Sequence, residues 1–369
     1  MLQPIISADS HIVEPDNTYV DHIDPKFRDR APRLEEHEKL GEVFNLEGIG
    51  PIALPIIAGA GRDPREIRAR RSDFSEVPRG GWDPKHRIAA QDKDGISAEV
   101  IYPSLGMVIC AMPDVSLRRA LMQAYNRWIT EYCSENPERM IGLGQSAASS
   151  PAEAVQDLHE IKQLGLRGVM MPGQPVGEAD YDDPAWDRFW AAAVELELPV
   201  SFHVLTDNQA MGAVNAKARG GKINAFLGII RACQDIMGML CFHGVFERHP
   251  KLKVVCVEAD AGWVPHYMYR MDHSYKQLRY LLRAKELQRL PSEYFHDHIY
   301  VTFQDDHVAF QVKDLCNIRR LMWANDYPHN DSTWPWSQDV LAKHTVNLTE
   351  AERNLIVHDN VAELYQLSI

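Results

Sequence analysis

The sequence predicts an α/β fold: a (β/α)8 barrel of the TIM type with a long insertion after its first strand. Two observations lead to this prediction. Short apolar segments alternate with helical patterns, without a signal for antiparallel hairpins, and the apolar segments run into polar residues at their ends. An open doubly wound sheet would require a glycine-rich phosphate turn after the first strand, whereas the first turn here is acidic and contains a histidine.

The first strand is the apolar segment that begins at Ile5 and is stopped by Pro15. Further strands are predicted over residues 98–103, 140–145, 166–171, 198–203, 252–258, 298–303 and 319–324. Helices are predicted over residues 84–95, 116–133, 183–196, 223–248, 265–287 and 349–366. Another helix begins at Pro151, because proline is tolerated in the first turn of a helix, and the helix over 84–95 should end at Gly95.

Residues 16–90 separate the first strand from the second. This stretch is rich in proline, arginine and aspartate and is too long for an ordinary connection, so we expect an irregular insertion or cap over one face of the fold. The sequence has no Gly/Ser linker, low-complexity tract or internal repeat. Residues 1–369 are therefore expected to form one barrel domain that contains this insertion.

The composition excludes several classes of function. Of 369 residues, 45% are hydrophobic, which is ample for a large core, and the net charge of −13 argues against binding to nucleic acid or anionic membranes. The sequence suggests neither a secretory signal nor a membrane-spanning helix. The six cysteines include no Cys-x-x-Cys pair and are expected to be reduced thiols. We therefore expect a cytoplasmic protein that acts on a small molecule.

Potential metal ligands follow the predicted strands, at the end of the barrel where enzymes of this fold have their active sites. Asp9 and His11 are two residues apart, so they face the same side of one strand and can reach one ion. Other strand ends contribute carboxylates and imidazoles: Glu14, His203, Glu258, Asp260, Asp305, Asp306, His307, Asp326 and His329. Such groups are costly to bury unpaired, so the pattern predicts a metal site.

Four segments carry a family resemblance: residues 9–15 (Asp-Ser-His-Ile-Val-Glu-Pro), His203, residues 244–252 (Gly-Val-Phe-Glu-Arg-His-Pro-Lys-Leu) and residues 325–329 (Asn-Asp-Tyr-Pro-His). With these segments the chain resembles the amidohydrolase-related family of metal-dependent hydrolases and decarboxylases, which includes aminocarboxymuconate semialdehyde decarboxylase. The resemblance implies a distorted barrel and a homodimer. It also implies that a metal ion is held by Asp9, His11, His203 and Asp326.

Two positions depart from the family pattern. Many relatives begin with His-x-His, whereas Asp9 adds a negative charge here, which favours Mn²⁺, Fe²⁺ or Mg²⁺ over Zn²⁺, with zinc as the alternative. The decarboxylase relatives resemble one another in a histidine after strand six, whose place is taken here by Ala259. Glu258 is expected to ligate the metal or a second metal in a dinuclear site; the alternative is a buried ion pair with an arginine such as Arg270.

The first expectation for function is a metal-dependent hydrolase that activates water on one divalent ion, or on two, and cleaves a small carboxylic or aromatic substrate. Asp326 would accept the proton of this water and pass it to the leaving group, and His329 would bind Asp326 or the developing oxyanion. One alternative is a non-oxidative decarboxylase of an aromatic or muconate-like acid. The other is a metal-free scaffold subunit of a hetero-oligomer.

Overall fold

The computed structural model describes residues 2–65, 67, 72–207, 223–224 and 227–368. In these residues the strands are β1 (Ile5–His11), β2 (Leu34–His37), β3 (Gly41–Leu46), β4 (Gly50–Ala53), β5 (Ile96–Tyr102), β6 (Met140–Gly142), β7 (Gly144–Gln145), β8 (Val169–Met171), β9 (Val200–His203), β10 (Val254–Val257), β11 (Ile299–Phe303) and β12 (Leu321–Trp323).

The α-helices of the described residues are α1 (Asn17–His22), α2 (Leu54–Ile57), α3 (Pro84–Asp94), α4 (Leu105–Ile109), α5 (Val115–Ser134), α6 (Pro151–Gln163), α7 (Asp187–Glu195), α8 (Ile230–Phe242), α9 (Val245–Arg248), α10 (Val264–Leu278), α11 (Pro291–His298), α12 (His307–Gln311), α13 (Ser337–His344), α14 (Glu350–Asn354) and α15 (Asn360–Tyr365). Within these residues, no helix combines the length and the apolar character needed to cross a membrane.

The strands that alternate with helices form a parallel barrel. β1, β5 and β6 pair in that order, β7 to β12 follow in chain order, and neighbouring strands in both sheets are parallel. β6 and β7 are separated only by Leu143, whose N–H bonds a carbonyl of β5 at 3.1 Å. At the remaining seam the Asp326 N–H donates to the Asp9 carbonyl at 3.1 Å, and the His11 N–H donates to the Tyr327 carbonyl at 2.6 Å. The first strand is thereby joined to the last, and the predicted barrel is confirmed.

Local sequence explains how the elements begin and end. The Asp83 carboxylate accepts hydrogen bonds from the N–H groups of Lys85 and His86 at the start of α3, and Gly95 ends this helix with a φ of +70°, as predicted. Residues of β8 and β10 are buried throughout, because strands of a parallel barrel are covered on both faces.

The stretch over residues 16–90 is more regular than predicted. β2, β3 and β4 form an antiparallel sheet, in which Leu34 pairs with Phe44 and Val43 pairs with Ala53. The expectation of an irregular segment without antiparallel hairpins was therefore wrong. The physical reason is that β3 buries Val43, Phe44 and Leu46, and the last two join the same hydrophobic core as the barrel. That the whole chain is one domain stays a prediction.

Two predicted helices are interrupted. The helix expected over residues 223–248 contains α8 and α9, which are separated at Gly244, whose φ is +67°; residues 225–226 lie outside the described residues. The helix expected over 349–366 consists of α14, a π-helical turn over Leu355–Asp359, and α15. In the first case the glycine adopts a left-handed conformation that ends a helix at little cost.

Candidate metal centre

The barrel brings the predicted metal ligands to one end. Asp9 and His11 lie on β1 and His203 is the last residue of β9, and all three are buried. Glu258 follows β10 with a φ of +57°, and Asp326 follows β12 with a φ of +52°. Non-glycine residues rarely adopt this left-handed conformation, so the backbone at both positions is held in a strained shape by its surroundings.

The ligand atoms of these residues lie close together. His11 Nε2 is 3.4 Å from Asp9 Oδ1, 3.4 Å from Asp326 Oδ1 and 3.2 Å from His203 Nε2. His203 Nε2 is 3.7 Å from Asp9 Oδ2 and 3.4 Å from Glu258 Oε2. Within the described residues, two overlapping groups place one ligand atom per residue within 4.8 Å of one another. They are Asp9, His11, His203 and Glu258, and His11, Glu258, Asp326 and His329.

The hydrogen bonds of the two imidazoles fit a metal ion. His11 Nδ1 lies 2.9 Å from the Pro103 carbonyl and His203 Nδ1 lies 3.0 Å from the Val204 carbonyl. A carbonyl oxygen can only accept, so each ring carries a hydrogen on Nδ1. Burial lowers the pKa of His203, but the neighbouring Asp9 carboxylate raises it to about 8, so in the metal-free site a proton lies between the two Nε2 atoms, which are 3.2 Å apart. A metal ion would take the place of this proton and be bound by both Nε2 lone pairs. Donation of the second ring nitrogen to a carbonyl is also the usual arrangement of histidines that bind metals.

The carboxylates of the site also lack partners. Neither carboxylate oxygen of Asp9 or of Asp326 makes a hydrogen bond within the described residues, and neither does Glu258 Oε2. Burial opposes ionisation of Asp9, but the neighbouring His203 and His11 hold the pKa of its carboxyl below the ordinary value. Burial, followed by the negative charge of a neighbouring carboxylate, raises the pKa of both Asp326 and Glu258 well above the ordinary values. The cluster is therefore able to hold a divalent metal ion, whose charge would offset these buried carboxylates.

His329 adjoins the cluster on the side of Asp326. Its Nδ1 lies 3.2 Å from Asp326 Oδ1, and its ring stacks on that of His11 with the centroids 3.9 Å apart. Burial, followed by the nearby His203, lowers the pKa of His329 to about 3. The ring is therefore neutral near pH 7, so one of its nitrogens carries a hydrogen and the other a lone pair.

The structure does not bring every candidate into the cluster. Glu14 is buried, but its oxygens accept hydrogen bonds from the N–H groups of Leu105 and Gly106 and from the Tyr19 hydroxyl. Asp306 caps α12 and also accepts from the N–H groups of residues 261 and 262. Three further candidates are outside the two ligand groups: Asp260, Asp305 and His307.

The alternative for Glu258 was an ion pair with an arginine. Among the described residues Glu258 pairs with His203, whereas Arg270 is exposed on α10. An ion pair of Glu258 with Arg270 is therefore not found. The Glu258 side chain is 10% exposed, so it lies at the solvent side of the cluster.

Sequence reasoning missed two residues that support the site. Arg87 on α3 is fully buried and donates to the His11 carbonyl at 2.6 Å. Ser104, directly after β5, bonds His329 Nε2 at 2.8 Å. Neither residue has a local signal, because one belongs to a polar helix and the other to a loop, and only the packing of distant segments buries them.

A buried set of imidazoles and carboxylates at the carboxyl end of a parallel barrel defines a class of barrel enzymes that work through a bound divalent ion. The chain belongs to the amidohydrolase family, whose sequence model matches residues 63–367. The match begins after Asp9 and His11, so it does not support the assignment of these two residues as metal ligands, which depends on their geometry. The family expected from the sequence motifs is thereby confirmed.

The chain is also similar to individual proteins of known sequence or structure. The chain is 29% identical over 259 residues to the 2-amino-3-carboxymuconate-6-semialdehyde decarboxylase of Dictyostelium discoideum, which covers 69% of each chain. An amidohydrolase structure from Mycobacterium avium subsp. paratuberculosis matches with a TM-score of 0.81 at 21% identity, over 99% of this chain and 100% of that one. The 5-carboxyvanillate decarboxylase of Novosphingobium aromaticivorans, solved with manganese and 4-hydroxy-3-methoxy-5-nitrobenzoic acid, matches with a TM-score of 0.71 at 18% identity, over 98% and 96% of the two chains. These two structures have the same fold as this chain.

Proposed function

We propose that the protein is a metal-dependent, non-oxidative decarboxylase of an aromatic or muconate-like carboxylic acid. The observation that carries the proposal is the buried cluster at the barrel end, in which two imidazole Nε2 atoms lie beside two aspartates without hydrogen-bond partners. The relatives favour decarboxylation over hydrolysis, because one is a decarboxylase of a muconate semialdehyde and another a decarboxylase of an aromatic acid. Decarboxylation was the alternative expectation from the sequence.

In this proposal Asp9, His11, His203 and Asp326 hold the ion. Glu258 is a further ligand, or part of the site of a second ion, because its unpartnered Oε2 is 3.4 Å from His203 Nε2. Carboxylate-rich sites favour harder ions, and manganese is bound in the related 5-carboxyvanillate decarboxylase. Manganese is therefore the first ion to test, with iron, magnesium and zinc as the others.

Decarboxylation breaks the bond between the carboxyl carbon and its neighbour, leaves the electron pair on that neighbour, and requires one proton there. The bound ion would draw electron density from the oxygens of the substrate. Asp326 and His329 are the pair placed to pass this proton from water or from the acid group of the substrate to the carbon, since Asp326 Oδ1 and His329 Nδ1 lie 3.2 Å apart beside the cluster. Ala259 contributes no proton donor, although the family resemblance places a histidine at this position.

Hydrolysis is the second candidate. The unpartnered Asp326 oxygens also suit a base that takes a proton from a metal-bound water. The two reactions differ in their products, because decarboxylation releases CO2 without uptake of water, whereas hydrolysis places an oxygen atom from water in a product.

The test is an assay of the manganese-loaded protein on a panel of hydroxybenzoic, methoxybenzoic and muconate-type acids in water enriched in ¹⁸O. We expect release of one CO2 per product molecule, and a product that has lost only the carboxyl group. A product that carries a new ¹⁸O atom, without CO2 release, would establish hydrolysis instead.

Metal analysis of variants tests the ligands in the same preparation. Asp9→Asn and His203→Ala should lose the ion, and Glu258→Gln should keep one equivalent if the site holds a single ion. Asp305→Asn is the matched control, because this carboxylate is 69% exposed and outside the cluster. Wild-type protein that binds no metal after reconstitution would instead support the scaffold expectation. The homodimer and the cytoplasmic location stay predictions.

A further inference from the structure

We propose that Ser104 is a positioning residue that fixes the tautomer of His329 and thereby leaves the ring's lone pair on Nδ1, beside the metal centre. This inference rests on the proposed function, because it assigns which nitrogen of His329 can act as an acceptor at the same site. It concerns a residue outside the metal cluster, in the loop between β5 and α4.

Ser104 is fully buried, and its hydroxyl contacts two groups. Ser104 Oγ lies 2.6 Å from the Ile12 carbonyl oxygen and 2.8 Å from His329 Nε2. Ile12 directly follows β1, so the hydroxyl links the chain beside the ligand His11 to the ring beside the ligand Asp326. The hydroxyl does not cap α4, so removing it removes no capping bond.

The single hydroxyl hydrogen decides the direction of both bonds. The Ile12 carbonyl can only accept, and two oxygen atoms at 2.6 Å repel unless a hydrogen lies between them, so Ser104 donates to Ile12. The serine oxygen then has only a lone pair to offer His329 Nε2. This nitrogen must therefore carry a hydrogen and donate it to Ser104. A neutral imidazole has only one N–H, so Nδ1 of His329 carries the lone pair.

This lone pair lies beside Asp326. His329 Nδ1 lies 3.2 Å from Asp326 Oδ1, and stacking against His11, with an angle of 22° between the rings, restricts rotation of the imidazole. In the other tautomer Nδ1 would carry the hydrogen and would have no lone pair. Ser104 thus selects the tautomer whose Nδ1 can act as an acceptor at the centre.

The loop that carries Ser104 is itself held in place. The Glu14 carboxylate accepts from the N–H groups of Leu105 and Gly106 at 2.9 and 3.1 Å, and these are the two residues that follow Ser104. A buried carboxylate with two backbone donors fixes the loop against β1. The position of the serine hydroxyl therefore depends little on its own two bonds, and replacement by alanine should leave the loop in place.

The experiment compares Ser104→Ala with Ser104→Thr, which retains a hydroxyl, and with Ser146→Ala. Ser146 is a matched control, because it is equally buried and donates to the Asp157 carboxylate at 2.7 Å. Nitrogen NMR of ¹⁵N-histidine-labelled, zinc-loaded protein reports which nitrogen of His329 carries the hydrogen, with His329→Gln used to assign the signal. Metal content, kcat and KM are measured for each variant.

We expect Nε2–H for His329 in the wild type and in Ser146→Ala, and a mixture of tautomers in Ser104→Ala. kcat should fall about 10- to 100-fold in Ser104→Ala while KM and metal content stay near wild type, and Ser104→Thr should recover part of kcat. A Ser104→Ala protein that keeps the pure Nε2–H tautomer overturns the proposal, as does an unchanged kcat.

If the wild type decarboxylates no tested acid, the proposed function fails, while the NMR result still decides the tautomer. If Ser104→Ala does not fold, Ser104→Thr must keep the Nε2–H signal, and its loss refutes the proposal.

Discussion

Replacement of Arg87 by methionine removes the cation that pairs with the buried Glu99 carboxylate behind the metal centre. Arg87 is fully buried and its Nε lies 2.5 Å from Glu99 Oε2, while Gln91 also donates to this oxygen, at 2.8 Å. The guanidinium further donates to the His11 carbonyl at 2.6 Å and to the Tyr327 carbonyl at 3.5 Å. His11 is a proposed metal ligand, and Tyr327 directly follows the proposed ligand Asp326. The Arg87 side chain therefore contacts both strand ends that meet at the barrel seam.

Two effects follow from these contacts. Glu99 would stay buried without its cation, and breaking a buried ion pair by removing one partner costs about 3–5 kcal/mol of unfolding free energy. The His11 and Tyr327 carbonyls would lose a charged donor, and loss of such supporting bonds typically weakens metal binding about 10- to 100-fold. Methionine is a good helix former, so α3 itself should persist in the Arg87→Met variant.

Urea unfolding of the metal-free protein measures the first effect, and calorimetric titration with manganese measures the second. In the double variant Arg87→Met/Glu99→Leu the Glu99 carboxylate is also gone and is not left without its cation, so stability should partly recover, while metal affinity should stay low. Lys26→Met is the control, because Lys26 pairs with Asp24 at the surface and is 68% exposed. A loss below about 1 kcal/mol for Arg87→Met would refute the reasoning, and so would a double variant less stable than the single one.

Two further predictions concern the loop after β5. Burial raises the pKa of Glu14 to about 7 from its ordinary 4.5, so folding favours the protonated form of this side chain. Protonated Glu14 therefore contributes its full stabilisation below pH 4.5, and this stabilisation is lost as the pH rises through 7. Relative to Glu14→Gln, the wild type should therefore lose about 3 kcal/mol of unfolding free energy between pH 4.5 and pH 8, as measured by urea denaturation; parallel pH profiles would contradict this. Gly106→Ala should destabilise the protein by about 1–3 kcal/mol in the same assay, because the new Cβ would lie 2.2 Å from Gln145 Oε1. Helix propensity alone predicts a stabilisation, so a rise in stability would exclude the packing argument.

Much of the candidate site could be predicted from the sequence by one rule. Side chains at the carboxyl ends of parallel barrel strands converge, and this rule selected a set of carboxylates and imidazoles that includes Asp9, His11, His203 and Asp326. The family resemblance implied that these four hold the metal ion, and the structure brings their ligand atoms together. The same rule also selected Glu14, which bonds the loop after β5 instead. Position at a strand end limits where a side chain can point, but the hydrogen-bond donors around it decide what it binds.

The antiparallel sheet within residues 16–90 could not be predicted in the same way. Its strands are short, and two of them are partly exposed, so their hydrophobic pattern is weak. Pairing between β2, β3 and β4 depends on burial of the middle strand against the barrel core. A short strand gains most of its stability from such contacts and little from its own residues.

The sequence by itself determined the barrel and the kinds of side chain at its mouth, because the alternation of apolar strands and helices and the residue types at strand ends are local properties. Only the tertiary structure decided the protonation pattern of the site. Ser104 determines which nitrogen of His329 carries the hydrogen, although the two residues are 225 positions apart along the chain. Arg87 donates to the His11 carbonyl from 76 positions away. Hydrogen-bond direction depends on donors and acceptors at about 3 Å, and contacts over that distance between remote segments exist only after the chain has folded.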